Sequence, residues 1–380
     1  MRVLHCPLMV GGNPQGLANA ERRLGLESWA VSLYQVPFNY KTDEVLYAQG
    51  RRLSKESRRW ALLLRAIKDF DVIHFNFGET ILSWTARETN DVSVQPTVLG
   101  RIVNSGLRFY KSALELRDLP LLRRVGKGVV VTFQGDDARQ GDFCRTNFQI
   151  SPATEVEPGY YTPASDAHKR ERIKKIGRHA HRIFSLNPDL LHVLPRNAQF
   201  LPYAHLDLDD WKPSKELRSD SEKPVVIHAP SHRGVKGTRF VVDAVSRLKS
   251  EGIDLDFTLV EGVPHSKVRE IYERADLLVD QLLCGWYGGL AVELMALGKP
   301  VICYIREGDL KFIPSQMRDE LPIINATPKN IYDVLKEWLT VRKHQLPEVG
   351  QRSRTYVEKW HDPLKIAAGL KAEYEVIRST

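Results

Sequence analysis

The chain is 380 residues long and 42% hydrophobic, enough to bury ordinary cores, and at about 100 to 200 residues per domain it is expected to form two domains or three. Its longest apolar runs, such as 60–64 and 290–297, are short or broken by polar residues and fall below the roughly 18 to 20 residues that cross a bilayer, so no transmembrane helix is expected. The net charge of +8 sits in the first half: residues 1–200 hold 29 Lys/Arg against 20 Asp/Glu, a net of +9, and residues 201–380 hold 26 against 27, a net of −1.

The opening Met1-Arg2-Val3-Leu4-His5-Cys6 reads as a strand, without the long apolar core and small-residue cleavage site of a secretory signal, and a cytoplasmic location is expected. Further strands are expected over 28–33, 72–75, 129–133, 182–186 and 199–203. They alternate with helix-like segments, the pattern of a mainly parallel sheet covered by helices. After the first strand, Gly11-Gly12-Asn13-Pro14 forms a loop before a helix through Glu21-Arg22-Arg23, which Gly25 ends. Residues 54–70 have helical spacing, with Trp60, Leu63, Leu64 and Ile67 on one side. Residues from about 134 to 165 are rich in Gly, Pro, Asp and aromatics without periodicity; so long a loop inside an α/β domain is usually functional or mobile.

The basic excess is clustered at Arg51-Arg52, Arg58-Arg59, Arg123-Arg124-Val125-Gly126-Lys127 and Lys169-Arg170-Glu171-Arg172-Ile173-Lys174-Lys175. Each cluster is either a solvated helix face or part of a surface for an anionic membrane. Without an RNA-recognition motif or an aromatic platform, no nucleic-acid partner is expected. Cys6, Cys144, Cys284 and Cys303 are scattered, with no CxxC and no nearby His at metal-ligand spacing, so they read as reduced core thiols and no metal site is expected.

The polar stretch 206–223 reads as a linker. Beyond it, strands are expected over 224–229, 255–261, 277–280 and 301–305. Helices fit between and after them, with Thr238 capping 240–248, Ser266 capping 268–274, and Thr327-Pro328 opening 331–341. The end, 362–379, has helical spacing through Leu364, Ile366, Leu370, Tyr374 and Ile377.

Two turns in this second half suit phosphate. Arg233-Gly234-Val235-Lys236-Gly237 follows the apolar run Val225-Val226-Ile227, and Gly288-Gly289-Leu290 opens a segment that continues through Glu293 to Gly298-Lys299-Pro300. In an open α/β sheet, strand-to-helix turns gather at the carboxyl ends of strands, where ligands bind. Bare backbone N–H groups and the helix dipole at Gly288 to Leu290 attract an anion, and Arg233 and Lys236 add charge. Glu293, one turn inside the helix, can accept hydrogen bonds from ribose hydroxyls or pair with an arginine instead. Together these residues suit a nucleoside diphosphate. Other residues stay open between two readings. Asp136 and Asp137, after the strand 129–133, are either an Asp-rich turn or a base and a sugar-hydroxyl contact. His74 has the same ambiguity, Gly11 and Gly12 are a plain turn or a point of ligand approach, and Trp286 and Tyr287 either pack or stack on a ring.

At these residues the sequence resembles the GT-B glycosyltransferases, particularly the family-4 retaining nucleotide-sugar enzymes. The resemblance runs through Gly11-Gly12, Asp71-Val72-Ile73-His74, Val131-Thr132-Phe133-Gln134-Gly135-Asp136, Leu201-Pro202 and the stretch 233–300. It implies two Rossmann-like domains facing across a cleft: an acceptor-binding domain over 1–205, a nucleotide-sugar domain over 206–361, and a helix over 362–380 crossing back to the first. It also implies transfer from a nucleotide-diphosphate sugar to a glycan or lipid-linked acceptor, with retention and no required metal or other cofactor, in cell-envelope polysaccharide or glycolipid synthesis. Arg233 and Lys236 match the basic pair on the donor diphosphate, and with Asp137 they are the candidate catalytic residues. Glu293 matches the second glutamate of the paired-glutamate motif. Gly288, Gly289, Leu290, Asp280, Tyr287 and Gly12 are further donor candidates, and His74, Gln134 and Asp136 are sugar or acceptor candidates. Two departures stand out: Gly285 occupies the first glutamate's place, and Gln134 stands where many relatives carry His. They keep two alternatives open, a catalytically silent subunit that binds a partner enzyme and a sugar-nucleotide epimerase of related fold. The basic first half adds possible peripheral attachment to the cytoplasmic membrane face.

Overall fold

Each half of the chain folds around its own parallel sheet. The computed structural model describes residues 1–35, 42–47, 52–84, 98–213, 223–263 and 265–379, except for the side chains of 52–54, 98–104 and 265–266. Arg51, the 214–222 part of the expected linker, and the side chains of Arg52 and Ser266 lie outside the described residues.

The first sheet contains β1 (Arg2–Cys6), β2 (Glu27–Ser32), β3 (Glu44–Val45), β4 (Val72–Asn76), β5 (Gly128–Phe133), β6 (Arg182–Ser185) and β7 (Gln199–Phe200), in the order β3-β2-β1-β4-β5-β6-β7. The second contains β8 (Val225–His228), β9 (Asp256–Leu259), β10 (Leu277–Val279), β11 (Val301–Cys303) and β12 (Ile324–Asn325), in the order β12-β11-β10-β8-β9. Every pairing is parallel. Helices cover both faces of such sheets, so central strands are apolar without alternation. In β5 all six residues are buried. The two-residue strands β3 and β12 are too short to leave a pattern in the sequence.

Several local expectations change. Leu64 points outward at 65% exposure, while Leu62, Leu63 and Ala66 face the core. Thr238 is not a cap: Gly237, in the left-handed region at φ 74°, precedes the helix Thr238–Ser250, and the Thr238 hydroxyl faces His228 Nε2 at 2.9 Å. Asn330 precedes the helix Ile331–Leu339, and Thr327 instead donates its backbone N–H and its hydroxyl to Asn330 Oδ1. The 134–165 region holds a short helix, Gly141–Asn147, and ends in a capping box at Thr162 and Ser165 that opens the helix Pro163–His179. Trp211, within the expected linker, is buried in the second core. All four cysteines are buried free thiols.

The last helix, Pro363–Ser379, lies on the first half and buries Ile366, Leu370, Tyr374 and Ile377 with Val3, Leu17, Val72 and Val130. A buried polar network fastens it. The Tyr374 hydroxyl donates to Glu21 Oε1 at 3.1 Å, so the 2.7 Å contact with His74 Nδ1 is an imidazole N–H donating to the tyrosine oxygen. His74 Nε2 then accepts from the Thr132 hydroxyl at 2.7 Å. Glu21 also accepts from Ser28 and meets His5 Nε2 at 2.9 Å. His74 is therefore corrected from a sugar contact to a structural residue. It is fully buried with both nitrogens engaged, and burial, reinforced by neighbouring His5, pushes its pKa well below the ordinary 6.5.

Candidate functional site

The carboxyl ends of the strands in both sheets meet along one seam. After β8, the turn Arg233–Lys236 is covered by the first half: a Cβ at Gly234 would lie 3.1 Å from Glu155 O and from Val156 Cα. Arg239 pairs with Glu155, His232 lies 3.5 Å from Glu157, and the Tyr160 and His232 rings are 4.8 Å apart. After β11, Arg306 donates to Ile150 O at 2.9 Å and lies 3.7 Å from the centre of the Phe148 ring. His192 and Asp309 meet at 2.8 Å.

On the second sheet the expected phosphate turns converge only in part. Lys236 Nζ donates to Gln281 Oε1 at 2.5 Å, stands 3.7 Å from Asp280 Oδ1, and would be 3.2 Å from a Cβ at Gly288. Asp280, at the end of β10, accepts the Gly288 N–H on Oδ2 at 2.7 Å. Its other oxygen has no hydrogen-bond partner. The helix Gly289–Ala296 begins here, and its first N–H groups, those of half-buried Gly289 and Leu290, have no intrahelical acceptor. Lys236 and a helix N-terminus thus present positive charge to one spot. Arg233 does not join them: it is 64% exposed and forms a two-pronged pair with Glu261, at 2.9 and 2.5 Å.

Glu293 is on the same helix face as Gly289, four residues on, and is only 3% exposed. His205 covers it. The ring's Nε2 is 3.4 Å from Glu293 Oε1, and its Cε1 would be 3.3 Å from a Cβ at Gly289. Tyr287 is corrected to a core residue: it is fully buried, stacked on Trp286 at 4.3 Å, and its hydroxyl contacts His361 Nε2 at 2.8 Å and Tyr356 at 3.1 Å. The place of the expected paired glutamate, Gly285, has φ +83°, and a Cβ there would lie 2.6 Å from Arg306 Nη1. Arg306 fills the space that a side chain at 285 needs.

On the first sheet, both candidate aspartates are committed to the protein. Asp137 accepts the Gln134 N–H at 3.0 Å and the Gly135 N–H at 2.6 Å, holding the turn after β5. Burial, helped by Asp136, lifts its carboxyl to about 6 against those backbone bonds. Asp136 accepts from Arg139 at 3.0 Å and from the Tyr160 and Tyr161 hydroxyls. Burial would raise it, but Arg139 and the tyrosines outweigh burial and hold it below the ordinary carboxylate value. Neither has the unoccupied oxygen that the expected base or sugar contact requires. Gln134 is different, because its carbonyl accepts from Asn187 while its side-chain Nε2 is buried without a partner. Asp189 Oδ1 is likewise unpartnered, its other oxygen taking Arg139 Nε at 2.9 Å. Gly12, at φ 71°, leads into the helix Asn13–Arg23, and Asn13 Oδ1 accepts the Ala204 N–H at 2.7 Å, tying this turn to the connector between the halves.

Sequence reasoning missed His205, Gln281, Asp189 and Arg306. They lie in turns and connectors, where no periodicity marks a facing residue. Gly16 was missed as well: a Cβ there would be 2.1 Å from Ala204 O, so only glycine admits the connector.

No protein-family profile matches the chain, and no curated protein matches it. Among solved structures, sucrose-phosphate synthase from Thermosynechococcus elongatus is similar at a TM-score of 0.60 and 14% identity, covering 100% of this chain and 99% of that one. Anabaena HepE in complex with UDP-glucose is similar at 0.58 and 10% identity over 99% of each chain. A glycosyltransferase from Rickettsia africae is similar at 0.58 and 11% identity, covering 99% of this chain and 98% of that one. The fold of this chain is therefore GT-B, an α/β arrangement of two parallel-sheet halves.

Proposed function

We propose that this chain is a glycosyltransferase that moves a sugar from a nucleoside-diphosphate sugar to a glycan or lipid-linked acceptor. The observation that carries the reading is the helix N-terminus at Gly289, facing the seam with Lys236 on one side of it and Glu293 one turn inside. The diphosphate binds at the free N–H groups and Lys236, which stabilise negative charge growing on the departing phosphate. Arg233 joins by exchanging Glu261 for phosphate. Glu293 accepts ribose hydroxyls, and Gln134 meets the sugar or acceptor from the other side. Anabaena HepE, of the same fold, was solved with UDP-glucose, which supports a nucleotide-sugar donor.

In this reading residues 1–205 receive the acceptor, 206–361 hold the donor, and 362–380 link them. The acceptor oxygen attacks the anomeric carbon on the face that the diphosphate leaves. The carbon–phosphate-oxygen bond breaks, the diphosphate carries away the electron pair, and a phosphate oxygen takes the acceptor's proton, so configuration is retained. Lys236 and the helix N-terminus serve where other enzymes use a metal. The basic first half draws the protein to anionic membranes, and flotation with liposomes that is insensitive to anionic lipid would count against this part. Gly285 and the arginine filling its place favour a second reading, a silent subunit without turnover.

The test is calorimetric titration with UDP, GDP, ADP and dTDP, with Glu293→Ala as the control, followed by donor turnover with the base that binds. Selective binding lost in the variant supports the site. No binding to any diphosphate overturns it, and binding without turnover under acceptor screening leaves the silent subunit.

A further inference from the structure

The connector 201–206 is held tightly. Leu201 N–H donates to Ser185 O at 2.9 Å, Ala204 N–H to Asn13 Oδ1 at 2.7 Å, and His361 Nδ1 contacts Tyr203 O at 3.0 Å. This backbone delivers the His205 side chain to the helix face that carries Gly289 and Glu293, where the ring is 2% exposed. Neither ring nitrogen makes a hydrogen bond, although Nε2 is 3.4 Å from a carboxylate oxygen. A buried imidazole almost always satisfies at least one nitrogen, so this ring is placed for a group that the protein itself does not supply.

The chemistry of its neighbour identifies that group. A carboxylate only accepts hydrogen bonds, whereas a neutral imidazole has one N–H to give and a hydroxyl both gives and accepts. A ribose hydroxyl set between Glu293 and His205 would donate to the carboxylate and receive from the ring. A Cβ at 289 would stand 3.3 Å from the ring, so glycine there lets the ring sit against the helix start without being pushed back by a few tenths of an ångström.

We propose that His205 is a donor-specificity residue which, with Glu293, reads a ribose hydroxyl of the nucleoside diphosphate. The inference rests on the nucleotide reading above and adds a residue to it. A site built to hydrogen-bond a hydroxyl rejects the analogue that lacks it, because the polar groups are left buried and unpaired.

The experiment compares UDP, GDP and ADP with their 2′-deoxy and 3′-deoxy forms by calorimetry, in the wild-type protein, His205→Ala and His205→Gln. For the base that binds, the wild type is expected to prefer the ribonucleotide over one deoxy form by about ten-fold or more. His205→Ala should bind the ribonucleotide about ten-fold more weakly and lose most of that preference, and His205→Gln, which keeps an N–H donor, should recover part of it. The preference is a ratio of dissociation constants within one protein, so it is read correctly even from a variant that is partly unfolded. An undiminished ribose preference in His205→Ala overturns the proposal while leaving the nucleotide site intact. A wild type that binds none of the diphosphates overturns the nucleotide reading itself.

Discussion

Replacing Gly285 by Ala tests whether Arg306 truly occupies the position where the resemblance expects a glutamate. Two separate terms contribute. The backbone at 285 has φ +83°, and a residue with a Cβ in the left-handed region loses roughly 1–2 kcal/mol. The new Cβ would also stand 2.6 Å from Arg306 Nη1, 2.8 Å from its Cζ and 3.0 Å from its Cβ. Swinging the guanidinium tip aside does not relieve the last of these, so the arginine must move as a whole. It then releases Asp309, 1% exposed and bonded at 2.7 Å, and the Ile150 carbonyl across the seam. Stripping one partner from a buried pair costs about 3–5 kcal/mol, an upper bound here because His192 still faces Asp309. The two terms together bound the loss for Gly285→Ala at about 4–7 kcal/mol, against about 1–2 in an Arg306→Ala background, where only the backbone term survives. Urea unfolding followed by tryptophan fluorescence and by circular dichroism supplies the four corners of the cycle, with coincident probes as the condition for using it. A coupling below about 0.5 kcal/mol would refute the reasoning, since contacting residues must couple by more than that.

Three further outcomes are expected. Lys236→Ala should lower turnover by on the order of 10²–10³ with a smaller effect on donor KM, and Glu293→Ala should raise donor KM by about ten-fold or more; unchanged steady-state kinetics in both would remove the assigned site. His361, whose imidazole burial pushes down to about 3 against the Tyr203 carbonyl bond and with His205 adding to the fall, is neutral when folded, so its contribution is complete above its ordinary 6.5 and is lost as pH falls towards 3. The stability difference between wild type and His361→Gln should shrink on acidification through that window, and a difference flat from pH 7 to 4 contradicts it. Asp118 titrates with the opposite sign: burial lifts it to about 6 despite bonds from Leu82 N–H and the Thr80 hydroxyl, so its contribution is present below 3.8 and declines as pH rises through 6. Asp118→Asn should remove that decline from urea midpoints taken between pH 4 and 7, and an undiminished decline would assign it to other groups.

Signals that repeat along the chain were legible in the sequence, and those made by one residue in one turn were not. Strands such as Val225–His228 and Leu277–Val279 announce themselves because a parallel strand with both faces covered must be apolar throughout. The start of the helix Gly289–Ala296 was equally readable, since glycines before an apolar helix have a direct backbone meaning. His74 and Tyr287 misled for the same reason that the strands were clear. A polar side chain inside an apolar run looks functional until its partners are known, and theirs, Tyr374 and His361, come from segments 300 and 74 residues away. Arg233 shows the complementary error: a sequence spacing puts two cations in one turn, but Glu261, from the end of the neighbouring strand, decides where one of them points.

The seam between the two halves is where local reading fails most, because its residues are selected by what faces them. Gly16 and Gly285 look like ordinary glycines, yet one admits the Ala204 carbonyl and the other admits Arg306. Gln134 Nε2, Asp189 Oδ1, Asp280 Oδ1 and both nitrogens of His205 are buried without hydrogen bonds in the turns and connector that border this seam. Each such group weakens the folded state by about 1–3 kcal/mol, so five of them on four side chains in one region are hard to reconcile with a purely structural role. They come from both sheets, which ties the argument to the junction: a ligand that satisfies them must touch both halves, and binding it must favour the closed arrangement over any open one. If the groups serve such a ligand, replacing Gln134 with Leu should leave unfolding midpoints near wild type, or raise them, while weakening donor or acceptor use. A loss of stability with unchanged kinetics would assign these atoms to the fold instead.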